Sequence, residues 1–268
     1  MPLKFGSADL VLPGVDRVYA GPQLVWPAAG PVFPANVIHA WNPDGGGNAS
    51  GYVPDAVGTA PLYVVAGGAT NSLVPDWTGA LAASQALILE PADSPAFKAA
   101  PFATLSYWMK RSGKGNNYSP VVHWTRGFPP LGEGVSGMFI VRLTTSAGPQ
   151  FFVKRDAGQA TGQLDDDISE GDAWVHFVIV LGDSRWLLRR NDADDVNASW
   201  ADTAKATTED QILQFGGWRS EGDVATTTWG GANVENGLIG RFKDIRIYNT
   251  ALSESEITAL HAAGPQTY

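Results

Sequence analysis

Histidine and cysteine are the usual zinc ligands, and neither occurs here in a metal-binding pattern. The four histidines, His39, His123, His176 and His261, are far apart, and no two have ligand spacing. The chain has no cysteine, so a structural zinc site is not predicted. His176 lies in an apolar segment, and we expect a core residue with one hydrogen-bonded nitrogen.

Aspartates cluster at two places, Asp165–Asp167 and the trio Asp192, Asp194 and Asp195. Calcium binds several oxygen ligands that converge from a flexible loop, and either cluster offers two or three. The other interpretation, which we favour, is a solvated acidic turn, because short Asp-rich motifs often occur without a metal. No EF-hand pattern is present. We therefore predict no cofactor; the alternative is a Ca²⁺ ion bound by Asp192, Asp194 and Asp195.

Two of the 10 tryptophans lie in a Gly- and Thr-rich segment near the end of the chain. Exposed indoles stack on sugar rings, and nearby polar side chains hold sugar hydroxyls. The candidate ligand-binding residues are Trp218, Arg219, Asp223, Trp229 and Asn233. Tryptophan and arginine are also common anchors of protein interfaces. The other interpretation is that these indoles fold back onto the protein body.

The composition predicts many short strands joined by turns. The 268 residues include 31 Gly and 18 Pro, and charged residues make up only 17%. The net charge of −9 argues against nucleic acid and anionic membranes as partners. No run of residues is apolar and long enough to span a bilayer, and Met1 is not followed by a secretory signal.

The clearest elements are three strands and one helix. Ala103–Lys110 alternates between two faces, and Trp174–Val180 is apolar on both faces, which indicates a central strand. In Phe242–Tyr248, Phe242 is out of phase with the later isoleucines, which predicts a bulge near Lys243 and Asp244. Ser253 stands three residues before Glu256, the spacing of a capping box, and Gly264 is expected to end the helix.

This last strand and helix resemble the C-terminal end of laminin G-like jelly-roll domains of the concanavalin A-like superfamily. The matching residues are Gly240, Phe242, Asp244, Ile245, Arg246, Ile247, Tyr248, Asn249, Ala251, Leu252, Ser253, Glu256, Ile257 and Leu260. The resemblance implies an all-β fold over residues 35–268: a jelly-roll β-sandwich of two antiparallel sheets with one short C-terminal helix. Some members of the family bind calcium, but Lys243 stands at a position that is usually acidic.

Residues 1–34 are expected to form a separate arm. Ala20-Gly21-Pro22 predicts a hairpin turn, and the segment from Pro27 to Pro34 has the composition of a linker. The arm contains Phe5-Gly6-Ser7, Val18-Tyr19-Ala20-Gly21 and Leu24-Val25-Trp26, and these patterns resemble the short N-terminal segments of phage tail and virion proteins. Its candidate assembly residues are Val18, Tyr19, Leu24, Val25 and Trp26. The alternative is an ordinary edge hairpin of the main sandwich.

Catalysis is not expected, and no catalytic residues are assigned. Sandwich-fold glycosidases related to this family carry a Glu-x-Asp-x-x-Glu pattern, because retaining chemistry needs two carboxylates close together. That pattern is absent, as are a nucleophile elbow and a phosphate-binding loop.

The resemblances together predict a phage virion protein: a tail fibre, a receptor-binding protein, or a capsid decoration or fibre component. Its expected partners are other virion proteins through the arm, a host-surface glycan and further copies of itself, and its expected location is the extracellular particle. The alternative is a bacterial carbohydrate-binding or adhesion module without a virion role.

Overall fold

The computed structural model divides the chain into two compact units, Met1–Pro34 and Ala35–Thr267. It describes the following residues: 4–5, 8–9, 17–20, 23–27, 34–66, 72–89, 103–114, 118–125, 138–144, 149–155, 158–163, 173–181, 185–191, 193–199, 212–220, 233–235 and 238–268.

The first unit contains two short antiparallel pairs. Strand β1 (Lys4–Phe5) pairs with β2 (Ala8–Asp9), and β3 (Arg17–Ala20) pairs with β4 (Gln23–Pro27). The predicted hairpin around Ala20-Gly21-Pro22 is confirmed, because Ala20 is the register partner of Gln23.

The second unit contains two large antiparallel sheets. In sheet order, the six strands of the first are β17 (Ala193–Ser199), β16 (Arg185–Arg190), β15 (Val175–Leu181), β10 (Thr104–Lys114), β21 (Leu238–Tyr248) and β5 (Val37–Trp41). In the second, the order is β14 (Gly158–Gln163), β13 (Pro149–Arg155), β12 (Met138–Thr144), β11 (Tyr118–Thr125), β18 (Ile212–Phe215), β9 (Gln85–Leu89), β7 (Leu62–Ala66) and β6 (Tyr52–Val53), with β8 (Ser72–Leu73) also on β7. A separate two-stranded ribbon pairs β19 (Trp218–Ser220) with β20 (Asn233–Glu235).

The core lies between the two large sheets. The Tyr107 ring stacks on Phe177 of its own sheet at 5.2 Å and meets Phe215 of the facing sheet edge-on at 5.9 Å, measured between ring centroids. The Phe242 ring packs against Tyr107 and Phe215, with centroid distances of 5.9 and 5.6 Å. All four side chains are fully buried. The two sheets therefore share one aromatic core, as in a β-sandwich.

The predicted bulge is present in β21. Ser106 pairs with Arg246 but Trp108 pairs with Lys243, so two residues, Asp244 and Ile245, stand opposite Tyr107. Asp244 takes up the extra residue with a φ of +48°, which an aspartate tolerates better than most residues. The phase shift lets Phe242 and the isoleucines that follow all face the core, which resolves their mismatch in the sequence.

Helix α1 (Glu254–Ala263) begins at the predicted capping box and ends at Gly264. The Ser253 backbone N–H donates to the Glu256 carboxylate at 2.7 Å, and the Glu256 N–H donates to Ser253 Oγ at 3.4 Å. The bonds from the Ser253 backbone and side chain lower the pKa of Glu256. Ile257 is buried and anchors the helix.

The predicted fold class is confirmed: two antiparallel sheets and one short C-terminal helix. Among the described residues, no helix combines the length and apolar character required to cross a membrane.

Candidate binding site at the long hairpin

The segment predicted to bind a ligand begins and ends in the two-stranded ribbon. Trp218 pairs with Glu235, Arg219 with Val234, and Ser220 with Asn233. The chain therefore leaves the sandwich along β19 and returns along β20, so Trp218 and Asn233 lie at the base of one long hairpin. Asp223 and Trp229, the other two candidates, lie outside the described residues.

Gly216 forms the corner at which β18 turns into the hairpin. Its φ is +84°, and a Cβ atom there would clash with the Leu81 side chain. The Gly216 N–H donates to the Val121 carbonyl at 2.9 Å, and its carbonyl accepts from the Leu238 N–H. Only glycine fits this corner without strain, and the corner is hydrogen-bonded on both sides.

His123 holds the next residue of the corner. Its Nε2 lies 3.1 Å from the Gly217 carbonyl, which can only accept, so Nε2 carries the proton. Burial lowers the pKa of His123 to about 4, outweighing the opposite effect of its hydrogen bonds to Gly217 and Gln214. The imidazole is therefore neutral, and its hydrogen bond fixes the Gly217 backbone at the base of the hairpin. The sequence carried one signal of this role: a histidine between the strand residues Val122 and Trp124.

The Asp55 carboxylate is a second buried polar group, and it is hydrogen-bonded to the edge strand β5. The Asp55 Oδ2 atom lies 2.6 Å from His39 Nδ1, and Oδ1 accepts the Ala40 and Val57 N–H groups at 3.0 and 3.1 Å. Burial raises the pKa of Asp55, but these bonds more than offset it, so the pKa is lowered. The carboxylate stays ionised and holds the turn that follows, which gives it a structural role.

The outward face of the six-stranded sheet carries a group of parallel rings beneath helix α1. Trp108 stacks with His176 at 4.7 Å and with His261 of the helix at 5.6 Å between ring centroids. His176 Nε2 is hydrogen-bonded to Ser106 Oγ at 2.9 Å, while Nδ1 has no partner in the part of the chain that the structure describes. The prediction of a buried histidine with one hydrogen-bonded nitrogen is confirmed, but the ring lies beneath helix α1 and not in the core between the two sheets. Burial lowers the pKa of His176 to about 3, with His261 and Arg246 adding to the effect.

The structure places the calcium candidates in a strand and not in a loop. Asp194 and Asp195 belong to β17, where Asp194 pairs with Arg189, and Asp192 lies outside the described residues. The expectation that this cluster lies in a loop or turn is therefore wrong for Asp194 and Asp195. Among the described residues, no three His, Asp or Glu side chains form a group that could hold a metal.

Lys243, at the position that the family resemblance makes acidic, has a different role. Its Nζ lies 3.9 Å from the centre of the Trp174 ring, within range of a cation–π interaction. The neighbouring Asp244 carboxylate accepts two bonds from Arg246, at 2.6 and 3.0 Å, and one from the Gln266 N–H at 2.9 Å. The bulge thus fixes both the sheet and the segment that follows α1.

The predicted assembly residues all lie in the hairpin of the first unit. Val18 pairs with Trp26 and Tyr19 with Leu24, and the register shift between these pairs leaves Val25 as the extra residue.

No protein-family model and no curated protein matches the chain. Solved structures do match it. The receptor-binding domain of botulinum neurotoxin C/D mosaic serotype is 13% identical with a TM-score of 0.54, and the match covers 85% of this chain and 51% of that one. The binding domain of botulinum neurotoxin DC in complex with rat synaptotagmin II is 13% identical with a TM-score of 0.52, over 85% and 51%.

Trypanosoma rangeli sialidase in complex with 2,3-difluorosialic acid is 14% identical with a TM-score of 0.58, over 92% of this chain and 36% of that one. The chain thus matches about half of the toxin domains and about a third of the sialidase. At these identities the likeness shows the fold alone, and that fold is a jelly-roll β-sandwich.

Proposed function

We propose that this chain is a structural protein of a bacteriophage particle that binds a host-surface glycan through its sandwich and attaches through its N-terminal arm. Within the particle it would be a tail fibre, a receptor-binding protein, or a capsid decoration or fibre component, present in the released extracellular virion.

The long hairpin is the observation that supports the binding half of the proposal. Twelve residues separate the paired Ser220 and Asn233, far more than the two to five typical of a hairpin loop. Its base is held by His123, Gly216 and the backbone of β11. A long segment on a rigid sandwich is a common way to present binding residues.

The composition of the hairpin fits a sugar. Trp218 and Trp229 offer flat apolar surfaces, and Arg219, Asp223 and Asn233 offer groups that hydrogen-bond hydroxyls. Two of the similar structures are complexes: a botulinum neurotoxin binding domain with rat synaptotagmin II, and a sialidase with 2,3-difluorosialic acid.

The first unit supports the attachment half. Its hairpin carries Val18, Leu24, Val25 and Trp26 on a unit of 34 residues. A unit of this size buries too little apolar surface to be stable alone, so it needs a partner surface. Its resemblance to N-terminal segments of virion proteins favours another virion protein.

The alternative function is a bacterial carbohydrate-binding or adhesion module. The same hairpin would serve it equally well, and the arm distinguishes the two, since an adhesion module does not need a docking hairpin. We propose no glycosidase activity in either case, because the sequence lacks the paired carboxylates of that chemistry.

Two measurements test the proposal. Mass spectrometry of purified particles from the source genome should find this chain at a fixed stoichiometric ratio to known virion proteins. Its absence from the particles, together with intact glycan binding by the purified chain, would favour the adhesion module.

Glycan binding is tested with Trp229→Ala. We expect the variant to lose binding on an array of host-surface glycans while its melting temperature stays close to that of the wild type. Trp77→Ala is the control, because Trp77 is buried and donates to the Ala80 carbonyl at 2.8 Å, so this change should lower the melting temperature. A large loss of stability in Trp229→Ala with binding intact would show that the indole belongs to the core.

A further inference from the structure

The edges of the two large sheets are protected to different degrees. An unprotected edge strand exposes a row of N–H and C=O groups that can pair with another chain. At β5, the loop that follows covers the edge: the Ala40 N–H donates to Asp55 Oδ1 at 3.0 Å, and the Ala40 carbonyl accepts from the Ala56 N–H at 2.8 Å.

Two further edges carry other known forms of protection. On the nine-stranded sheet, β6 and β8 are two residues each, too short to serve as a template. On the six-stranded sheet, β17 carries Asp194 and Asp195 and its pairing with β16 is interrupted by a register shift. Charges and irregularities of this kind discourage pairing.

Strand β14 has none of these protections among the described residues. It is six residues long, and its register with β13 runs without a shift from Arg155↔Gly158 to Gln150↔Gln163. Its sequence, Gly-Gln-Ala-Thr-Gly-Gln, has no charge and no proline. No described strand pairs with it on the side away from β13.

We propose that β14 pairs with β14 of a second copy of this chain, which joins the two nine-stranded sheets into one. The occupant is a second copy because the strand is complementary to itself. Its residues alternate between two kinds, the small Gly158, Ala160 and Gly162 and the neutral polar Gln159, Thr161 and Gln163. Each copy carries a net charge of −9, so an uncharged edge is where two copies meet with least repulsion.

The geometry of antiparallel pairing restricts the register. Along two antiparallel strands, pairs of opposed residues that exchange backbone hydrogen bonds alternate with pairs that do not. A two-fold axis between the copies must therefore lie at the centre of one pair, where a residue faces the same residue of the partner. Centred on Thr161, the pairing sets Thr161 against the partner's Thr161, Ala160 against the partner's Gly162, and Gln159 against the partner's Gln163. Threonine pairs are favourable neighbours across strands, and no like charges are opposed.

The test is sedimentation equilibrium of the full chain over a range of concentrations. The wild-type mass should rise toward twice that of the monomer. Thr161→Lys and Thr161→Glu should each remain monomeric, because like charges would meet at the axis. An equimolar mixture of the two should recover the dimer mass, because opposite charges then face each other.

Asn197→Lys provides the matched control, since it adds the same charge to the edge strand β17 of the other sheet and should dimerise like the wild type. A chain lacking residues 1–30 should also dimerise. The proposal is overturned by a wild type that stays monomeric, by a dimer that both Thr161 variants retain, or by a mixture that stays monomeric. These outcomes do not depend on the proposed virion function, which particle mass spectrometry tests separately.

Discussion

Buried histidines make the sandwich sensitive to acid. His123 and His176 lie on outward faces of opposite sheets, and both are buried and neutral. Burial lowers their pKa values to about 4 and about 3, whereas an unfolded histidine has a pKa of about 6.5. As the pH falls below 6.5, the unfolded chain therefore binds protons that the folded chain cannot.

We predict that stability is constant above about pH 7 and falls between pH 6.5 and pH 5. Each histidine should contribute a loss of roughly 2 kcal/mol by pH 5 through this linkage. Urea denaturation at several pH values measures the free energy of unfolding. In the double variant His123→Gln/His176→Gln, this free energy should fall less steeply as the pH is lowered. Carboxylates titrate mainly below this window. Equal slopes in wild type and double variant would contradict the assignment.

Tyr107 carries a polar atom in the apolar core. Its side chain is fully buried among Phe177, Phe215 and Phe242, and its hydroxyl has no hydrogen-bond partner among the described residues. Burial raises the pKa of this phenol well above its usual value, so it stays protonated.

We expect Tyr107→Phe to stabilise the protein by about 1 kcal/mol, because it removes an unsatisfied buried group and keeps the ring contacts. Trp41→Phe is the contrasting variant. Trp41 Nε1 donates to the Ala60 carbonyl at 2.8 Å, so its loss leaves an unpaired acceptor and a void. Thermal unfolding compares the two, and a destabilised Tyr107→Phe would indicate that the hydroxyl has a partner such as a buried water.

At the scale of elements, the corner between β18 and β19 connects the core to the candidate binding hairpin. It combines a positive φ at Gly216, the hydrogen bond from His123 and the bonds to β11 and β21. Within the described residues, the ribbon at the base of the hairpin has three pairs, and its strand β19 begins directly after this corner.

Gly216→Ala should lower stability by roughly 1–3 kcal/mol, since alanine is strained at positive φ and its Cβ would displace Leu81. Gly45→Ala is the control, because a Cβ there meets nothing within 4 Å. Chemical denaturation gives the stabilities, and the glycan array then shows whether binding falls as well. Equal stability of the two variants would mean that the corner adapts.

For the whole molecule, the described core belongs to one of the two units. Every core residue that the structure describes lies between Val37 and Ile257, within the sandwich. The capping box of α1 and the bulge of β21 are also complete without the first unit.

We predict that deletion of residues 1–30 leaves the melting temperature of the sandwich nearly unchanged and abolishes incorporation into particles. Differential scanning calorimetry and mass spectrometry of particles measure the two effects. If the truncated chain unfolds, the first unit contributes to the sandwich core and the boundary near residue 35 is wrong.

The sequence alone determined the features that depend on nearby residues. The bulge at Lys243 and Asp244 followed from the broken alternation between Phe242 and Ile245, and helix α1 followed from Ser253 and Glu256. The central strand Val175–Leu181 followed from an apolar run on both faces. Each of these signals spans fewer than about ten residues, within which alternation and capping act directly.

The tertiary structure alone decided which strands meet. The pairing of β10 with β15 joins residues 66 to 76 positions apart, and its pairing with β21 joins residues 124 to 144 positions apart, so no local pattern specifies either. The strand that contains Asp194 and Asp195, and the role of His123 at Gly217, depend in the same way on partners distant in sequence. A residue's neighbours across a sheet set its burial and hydrogen bonds, and those neighbours exist only once the sandwich has closed.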